Sequence, residues 1–167
     1  MFVLYAGYRY GWRETDVGLT LAFVGICSAL VQGVLVGPVV ARLGERRALT
    51  IGLFFATIGM ACYGLAPTSL WFLIGVPVMS LWGLAGPAIL GLMSQRVSSS
   101  EQGRLQGANS AIASVAALIR LAVFTAAFSL LLEPLPGAPF DLAALILLAA
   151  LVVALWATRK PAAARRR

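Results

Sequence analysis

Histidine is absent from this 167-residue sequence, which has six acidic residues and two cysteines. Without a histidine or a buried acid pair, nothing can serve as base for a serine or cysteine nucleophile, so the chain is not expected to be an enzyme. Cys27 and Cys62 both lie inside apolar runs. Their spacing fits neither a metal site nor a disulfide framework, and they read as packing residues. No metal site and no cofactor is expected. Charge is scarce as well, at 11% of residues against about 25% in soluble domains.

Apolar residues fill the space left. They make up 60% of the chain, and the mean hydropathy is +0.92. A soluble protein of this length does not bury that much apolar surface, which excludes an ordinary globular domain, a disordered chain and a coiled coil. An all-α polytopic membrane helix bundle remains, with the lipid bilayer as its first partner. The net charge of +7 does not point to nucleic acid, because the basic residues sit between apolar runs rather than on one face of a soluble core.

Charge-free runs of roughly 20 residues mark membrane spans. They predict spans at 17–41, 48–66 and 69–95, and two runs with one charge each, 105–132 with Arg120 and 140–158 with Asp141, are read as spans as well. The apolar stretch 1–8 reads as the end of a further helix whose beginning lies upstream. Loops are expected at 42–47, 96–104 and 133–139, with a basic tail at 159–167. Ten of the thirteen basic residues fall in 42–47, 96–104 and the tail. The positive-inside rule places those segments, and the C-terminus, in the cytoplasm. Tyr8, Tyr10, Trp12, Trp71 and Trp156 fall near the expected interfaces as an aromatic belt. Ser98 and Glu101 form a capping-box pattern. Pro134, Pro136 and Pro139 mark an outer loop.

The stretch Gly37-Pro38-Val39-Val40-Ala41-Arg42-Leu43-Gly44-Glu45-Arg46-Arg47 stands between two spans on the basic side. It resembles the cytoplasmic loop motif of the major facilitator superfamily. Further segments match in order and at consistent spacing: Phe2 to Tyr5, Arg9 to Trp12, Gly86-Pro87-Ala88, Gln102 to Gly107 and Phe124 to Ala126. Together they resemble the C-terminal half of the tetracycline–proton antiporter branch. The resemblance implies the C-terminal six-helix half of a major facilitator fold, its first helix truncated, in the bacterial inner membrane. It implies efflux of a small amphipathic drug-like compound against protons, with the binding cavity shared with a missing N-terminal half. It also exposes departures. The family's acids at the positions of Ala41 and Ala56, its Gln at Leu90 and its Gly-Pro at Arg120-Leu121 are replaced here. Those departures point away from tetracycline itself as cargo and place any titrating acid upstream.

Polar residues within the spans are the remaining functional pointers. Gln32 either contacts substrate or bonds to a neighbouring helix. Trp82, at the centre of its span, either lines a cavity or fills space. Asn109, Ser110 and Ser114 read as packing. Pro77 and Pro87 each remove a helix hydrogen bond and can kink their span. Arg120 has three readings: a site for an anionic substrate, a partner for an acid in an absent domain, or drift in a chain no longer selected for transport. In the loop motif, Gly37 with Gly33 offers a GxxxG face and Gly44 permits a tight turn. Arg42, Arg46 and Arg47 either set topology alone or also hold a cytoplasmic gate. Gly103 and Gly107 offer a second close-packing face. The expected function is a partial transporter for tetracycline-resistance-like multidrug efflux by proton antiport, inactive without its missing N-terminal half. The alternative is a non-transporting membrane fragment or interaction subunit.

Overall fold

The computed structural model describes residues 2–131 and 137–159. Six helices follow one another: α1 (Phe2–Tyr10), α2 (Glu14–Leu43), α3 (Glu45–Leu65), α4 (Ser69–Ser94), α5 (Gln102–Leu131) and α6 (Ala138–Arg159). The five from α2 onward include stretches long and apolar enough to cross a membrane. The 21 residues of α3 rise about 31 Å, the thickness of a hydrocarbon layer. The 30 residues of α2 rise about 45 Å and must tilt or project beyond it.

Helix α3 is the hub. It packs against α6, α4 and the C-terminal part of α2. Small residues make this possible. A Cβ at Gly52 would stand 2.8 Å from the Ala85 backbone nitrogen, and one at Gly59 would stand 2.8 Å from the Met79 Cα. Helices α3 and α4 therefore touch backbone to backbone. Ala48, Leu49, Leu53, Ala85, Ala88 and Leu151 close one core cluster around this contact.

A second cluster lies at the opposite end of α3, around Tyr5, Tyr63, Ala66, Phe72 and Val76. It fastens α1 to the turn between α3 and α4. Tyr5 donates to the Tyr63 carbonyl at 3.3 Å, Tyr10 to the Ala66 carbonyl at 2.9 Å, and Arg9 Nε to the same carbonyl at 3.2 Å. Trp12 Nε1 donates to Ser69 Oγ at 2.8 Å. The last carbonyls of a helix have no partner within it, and these donors supply one. Tyr10 and Trp12 are thus half-buried in the cluster rather than turned to the headgroups, whereas Tyr8, Trp71 and Trp156 remain exposed. Tyr and Trp read as belt residues from position alone, but the Ala66 carbonyl draws Tyr10 inward and the Ser69 hydroxyl draws Trp12.

The helices run further than the charge pattern suggests. Residues 42–43 and 45–47 belong to α2 and α3, so Gly44 alone separates them where a loop over 42–47 was expected. Charged side chains ride on helix ends and reach water along their own stems. The connection expected at 96–104 is likewise shorter, because α5 already holds Arg104. The Glu101 carboxylate accepts from the Ser98 backbone N–H at 3.2 Å and from its hydroxyl at 2.6 Å, starting that helix. Of the outer loop expected at 133–139, residues 133–136 lie outside the described residues, as does the tail from 160 onward.

Among the described residues the GxxxG faces do not pack on another helix. Nothing lies within 4 Å of a Cβ placed at Gly33, Gly37, Gly103 or Gly107. Small residues allow close approach but do not choose the partner, and here Gly52 and Gly59 are the ones approached. A pair of substitutions separates the two classes. Gly59→Ala is expected to destabilise the chain in detergent by about 1–3 kcal/mol, by forcing the α3–α4 contact apart. Gly33→Ala is expected to be neutral or stabilising by up to about 1 kcal/mol. Equal losses in thermal midpoint for both would contradict this packing.

Candidate functional site

Two breaks in helical geometry face each other. Helix α2 loosens to a π turn at Val31–Leu35, and α4 tightens to a 3-10 turn at Leu81–Leu84. Each contains the residue four before a proline. Pro38 has no N–H to offer the Val34 carbonyl, and Pro87 has none for the Gly83 carbonyl. The two turns touch. A Cβ at Gly83 would come within 3.3 Å of Val31 Cγ1 and 3.4 Å of Gln32 Cγ. Of the two prolines expected to kink a span, Pro87 follows a break and Pro77 lies inside regular helix; Pro38 was not read as a kink, and its pairing with Pro87 across two helices was not legible.

A cavity of about 500 Å³ opens at this junction. Val24, Ser28 and Gln32 line it from α2, and Met79, Ser80 and Trp82 from α4. Tyr63 reaches it from α3, its ring stacked on Phe72 at 4.2 Å between centroids. Ser80 donates its hydroxyl proton to the Val76 carbonyl at 2.9 Å, leaving oxygen lone pairs for a guest. Among the described residues no ionisable acid or base other than the Tyr63 phenol lines the cavity. Its chemistry is that of amide, hydroxyl and aromatic surface, suited to a flat amphipathic molecule.

Gln32 and Trp82 therefore meet on one cavity although fifty residues apart in sequence. Trp82 is 43% exposed, so its ring has an open face. Arg120 lies elsewhere. It is exposed on α5, and it lines neither this cavity nor the groove beside it. The apolar window of α5 buries none of its residues, and among the described residues α5 packs chiefly on α6 and the end of α4.

The loop motif turns on Gly44, whose φ of 78° and ψ of 160° are open essentially to glycine alone. Its N–H donates to the Val40 carbonyl at 2.9 Å, and its own carbonyl accepts from Ala48 at 3.1 Å. One residue thus ends α2 and starts α3. Gly37, Arg42, Arg46 and Arg47 are exposed. The side chain that ties this corner to α4 is Glu45, which accepts from Gln95 Nε2 at 2.8 Å. A Cβ at Gly91 would stand 2.8 Å from Glu45 Cγ, so the acid lies against bare backbone. Sequence reasoning passed over Glu45. Its signal was being the lone acid in a basic corner.

The sequence profile of the Major Facilitator Superfamily matches residues 1–167. The chain is 33% identical over 130 residues to the class G tetracycline resistance protein of Vibrio anguillarum, an overlap covering 77% of this chain and 33% of that protein. It is 31% identical over 132 residues to the class C tetracycline resistance protein of Escherichia coli, with the same coverage of 77% and 33%. A more distant similarity, 28% over 106 residues, is to hippocampus abundant transcript-like protein 1 of Rattus norvegicus, covering 64% of this chain and 21% of that one. The chain spans about a third of the length of the tetracycline resistance proteins it matches. No solved structure matches it.

The Gly44 turn generates its own test. Gly44→Ala forces a side chain into a glycine-only conformation and is expected to destabilise the chain by about 1–3 kcal/mol. Arg46→Gln, at an exposed position, should stay within about 0.5 kcal/mol. Thermal unfolding of both in detergent checks this, and a tolerated Gly44→Ala would show that the turn is not held as described.

Proposed function

The chain belongs to the Major Facilitator Superfamily, and from that premise we propose that it forms one wall of a proton-driven efflux transporter for small amphipathic, drug-like compounds. The observation that carries this reading is the cavity that joins Gln32 and Trp82 at the broken helices. In a hydrocarbon layer, irregular backbone is tolerated where it lines a cavity. Here it frames the polar surface on which a guest would sit. Gln32 hydrogen-bonds the guest and Trp82 stacks on it. The tetracycline resistance proteins, about three times as long as their overlap with this chain, support the second half of the proposal. A facing six-helix unit completes the cavity and brings the acid that exchanges protons.

The membrane is a plasma membrane with the basic corner around Arg42, Arg46 and Arg47 in the cytoplasm, and the C-terminus on the same side. Fluorescent and phosphatase reporters fused after Arg167 read this directly. A cytoplasmic C-terminus lights the first and silences the second, and the reverse pattern overturns the orientation.

Transport is tested in inside-out vesicles given a proton gradient and an uncharged, fluorescent amphipathic polycycle as the first probe. Vesicles holding this chain alone are expected to stay at background. Vesicles that also hold a complementary six-helix half are expected to accumulate the probe until an uncoupler is added. Within that pair, Gln32→Ala and Trp82→Ala should each lower uptake about tenfold, the loss of one hydrogen bond or one stacking contact. Uncoupler-sensitive uptake by this chain alone would falsify the division of labour.

A further inference from the structure

A second space lies behind Trp82. It is a groove of about 530 Å³ between α4 and α6, over α3. Ala85, Gly86, Ala150 and Ala154 are the small residues that leave it open, and Leu53, Ile89 and Val153 border it. Its lining includes one charged residue, Arg96, exposed in the turn after α4. The neighbouring Gln95 bonds to Glu45, so Arg96 stands at the same end of the molecule as the Arg42–Arg47 corner. Thr158 lines the same groove, its hydroxyl donating to the Ala154 carbonyl at 2.6 Å.

We propose that this groove binds one acyl chain of an anionic phospholipid, with the phosphate held by Arg96. Length fits. From Arg96 to Trp82 is 14 residues, roughly 21 Å by helix rise, and one leaflet's hydrocarbon is about 15 Å deep. Shape agrees with it: small residues leave an apolar channel bordered by Leu53, Ile89 and Val153, a surface that a chain of methylenes can lie along. Charge completes the match. A guanidinium makes paired hydrogen bonds to phosphate, and the cytoplasmic leaflet, which this basic end faces, is the one rich in anionic lipid. Trp82 and Gly86 line both the groove and the cavity, so the bound chain would end against the wall that Trp82 shares with the transport site.

Trp82 is also the reporter. The whole chain is placed in phosphatidylcholine vesicles that contain either brominated phosphatidylglycerol or brominated phosphatidylcholine. The fluorescence removed by Trp82→Phe isolates this one tryptophan. Brominated phosphatidylglycerol is expected to quench it about five times more effectively per lipid than brominated phosphatidylcholine, the preference that one surface arginine confers. Arg96→Gln should bring that ratio to about one, and Arg96→Lys should restore part of it. Ala154→Phe fills the groove and should weaken quenching by both lipids. Equal quenching by the two lipids in the native chain overturns the proposal, as does a preference that survives Arg96→Gln. Complete protection of Trp82 from both lipids overturns it as well, because protein then fills the groove.

Discussion

A backbone carbonyl in a hydrocarbon layer has no water to turn to, and leaving it without a partner costs several kcal/mol. The rest of the structure follows from how this constraint is met. Pro38 and Pro87 each withhold an N–H from the carbonyl four residues earlier, and helices α2 and α4 depart from α geometry at those places. The two departures meet at Gly83, and the cavity opens where they meet. At the far end of α3 the same need is met differently. There Arg9, Tyr5 and Tyr10 bring donors to the carbonyls of Tyr63 and Ala66. A helix-end requirement thus fixes the position of α1.

Apolarity does not choose the interior of such a protein. Lipid receives a leucine as readily as a core does, so association rests on close packing and hydrogen bonds. The buried set reflects this. Ala48, Ala56 and Ala88 are fully enclosed, while Leu19, Ile112 and Leu118 are among the most exposed side chains. Gly52 and Gly59 are seven residues apart, two turns on one face of α3, and that face receives α4. The exposed apolar faces of α2 and α5 are what a bilayer or a further helix can cover.

This explains which features were legible. Spans were readable because their signal is length without charge, and charge is what a bilayer excludes. The helix ends were less so. Arg46 and Arg47 looked like loop residues, yet they sit in the first turn of α3, since the positive φ of Gly44 lets one residue make the whole corner. Gln32 and Trp82 stood out as polar and aromatic misfits. Their convergence was not visible, because it depends on two proline-linked breaks lying opposite each other across helices. Small-residue patterns pointed to Gly33 and Gly37, but such a pattern states that an approach is possible and says nothing of the partner. Arg120 was legible as an anomaly, and α5 gives it an exposed position rather than a partner in either cavity.

The near-absence of ionisable groups from the cavity limits what this wall can contribute. Moving a formal charge from water into a site of low dielectric is expensive unless an opposite charge or several aligned dipoles receive it. Gln32, Ser28 and Ser80 present dipoles, and the aromatic faces of Trp82 and Tyr63 present a weak negative potential. Such a surface discriminates by shape and hydrogen-bond pattern far more than by charge. In the proposed transporter, selection for a charged cargo and the proton exchange that would drive it would therefore act through groups that face this wall. The wall itself offers apolar and hydrogen-bonding surface, and the strongest electrostatic terms would belong to whatever completes the cavity.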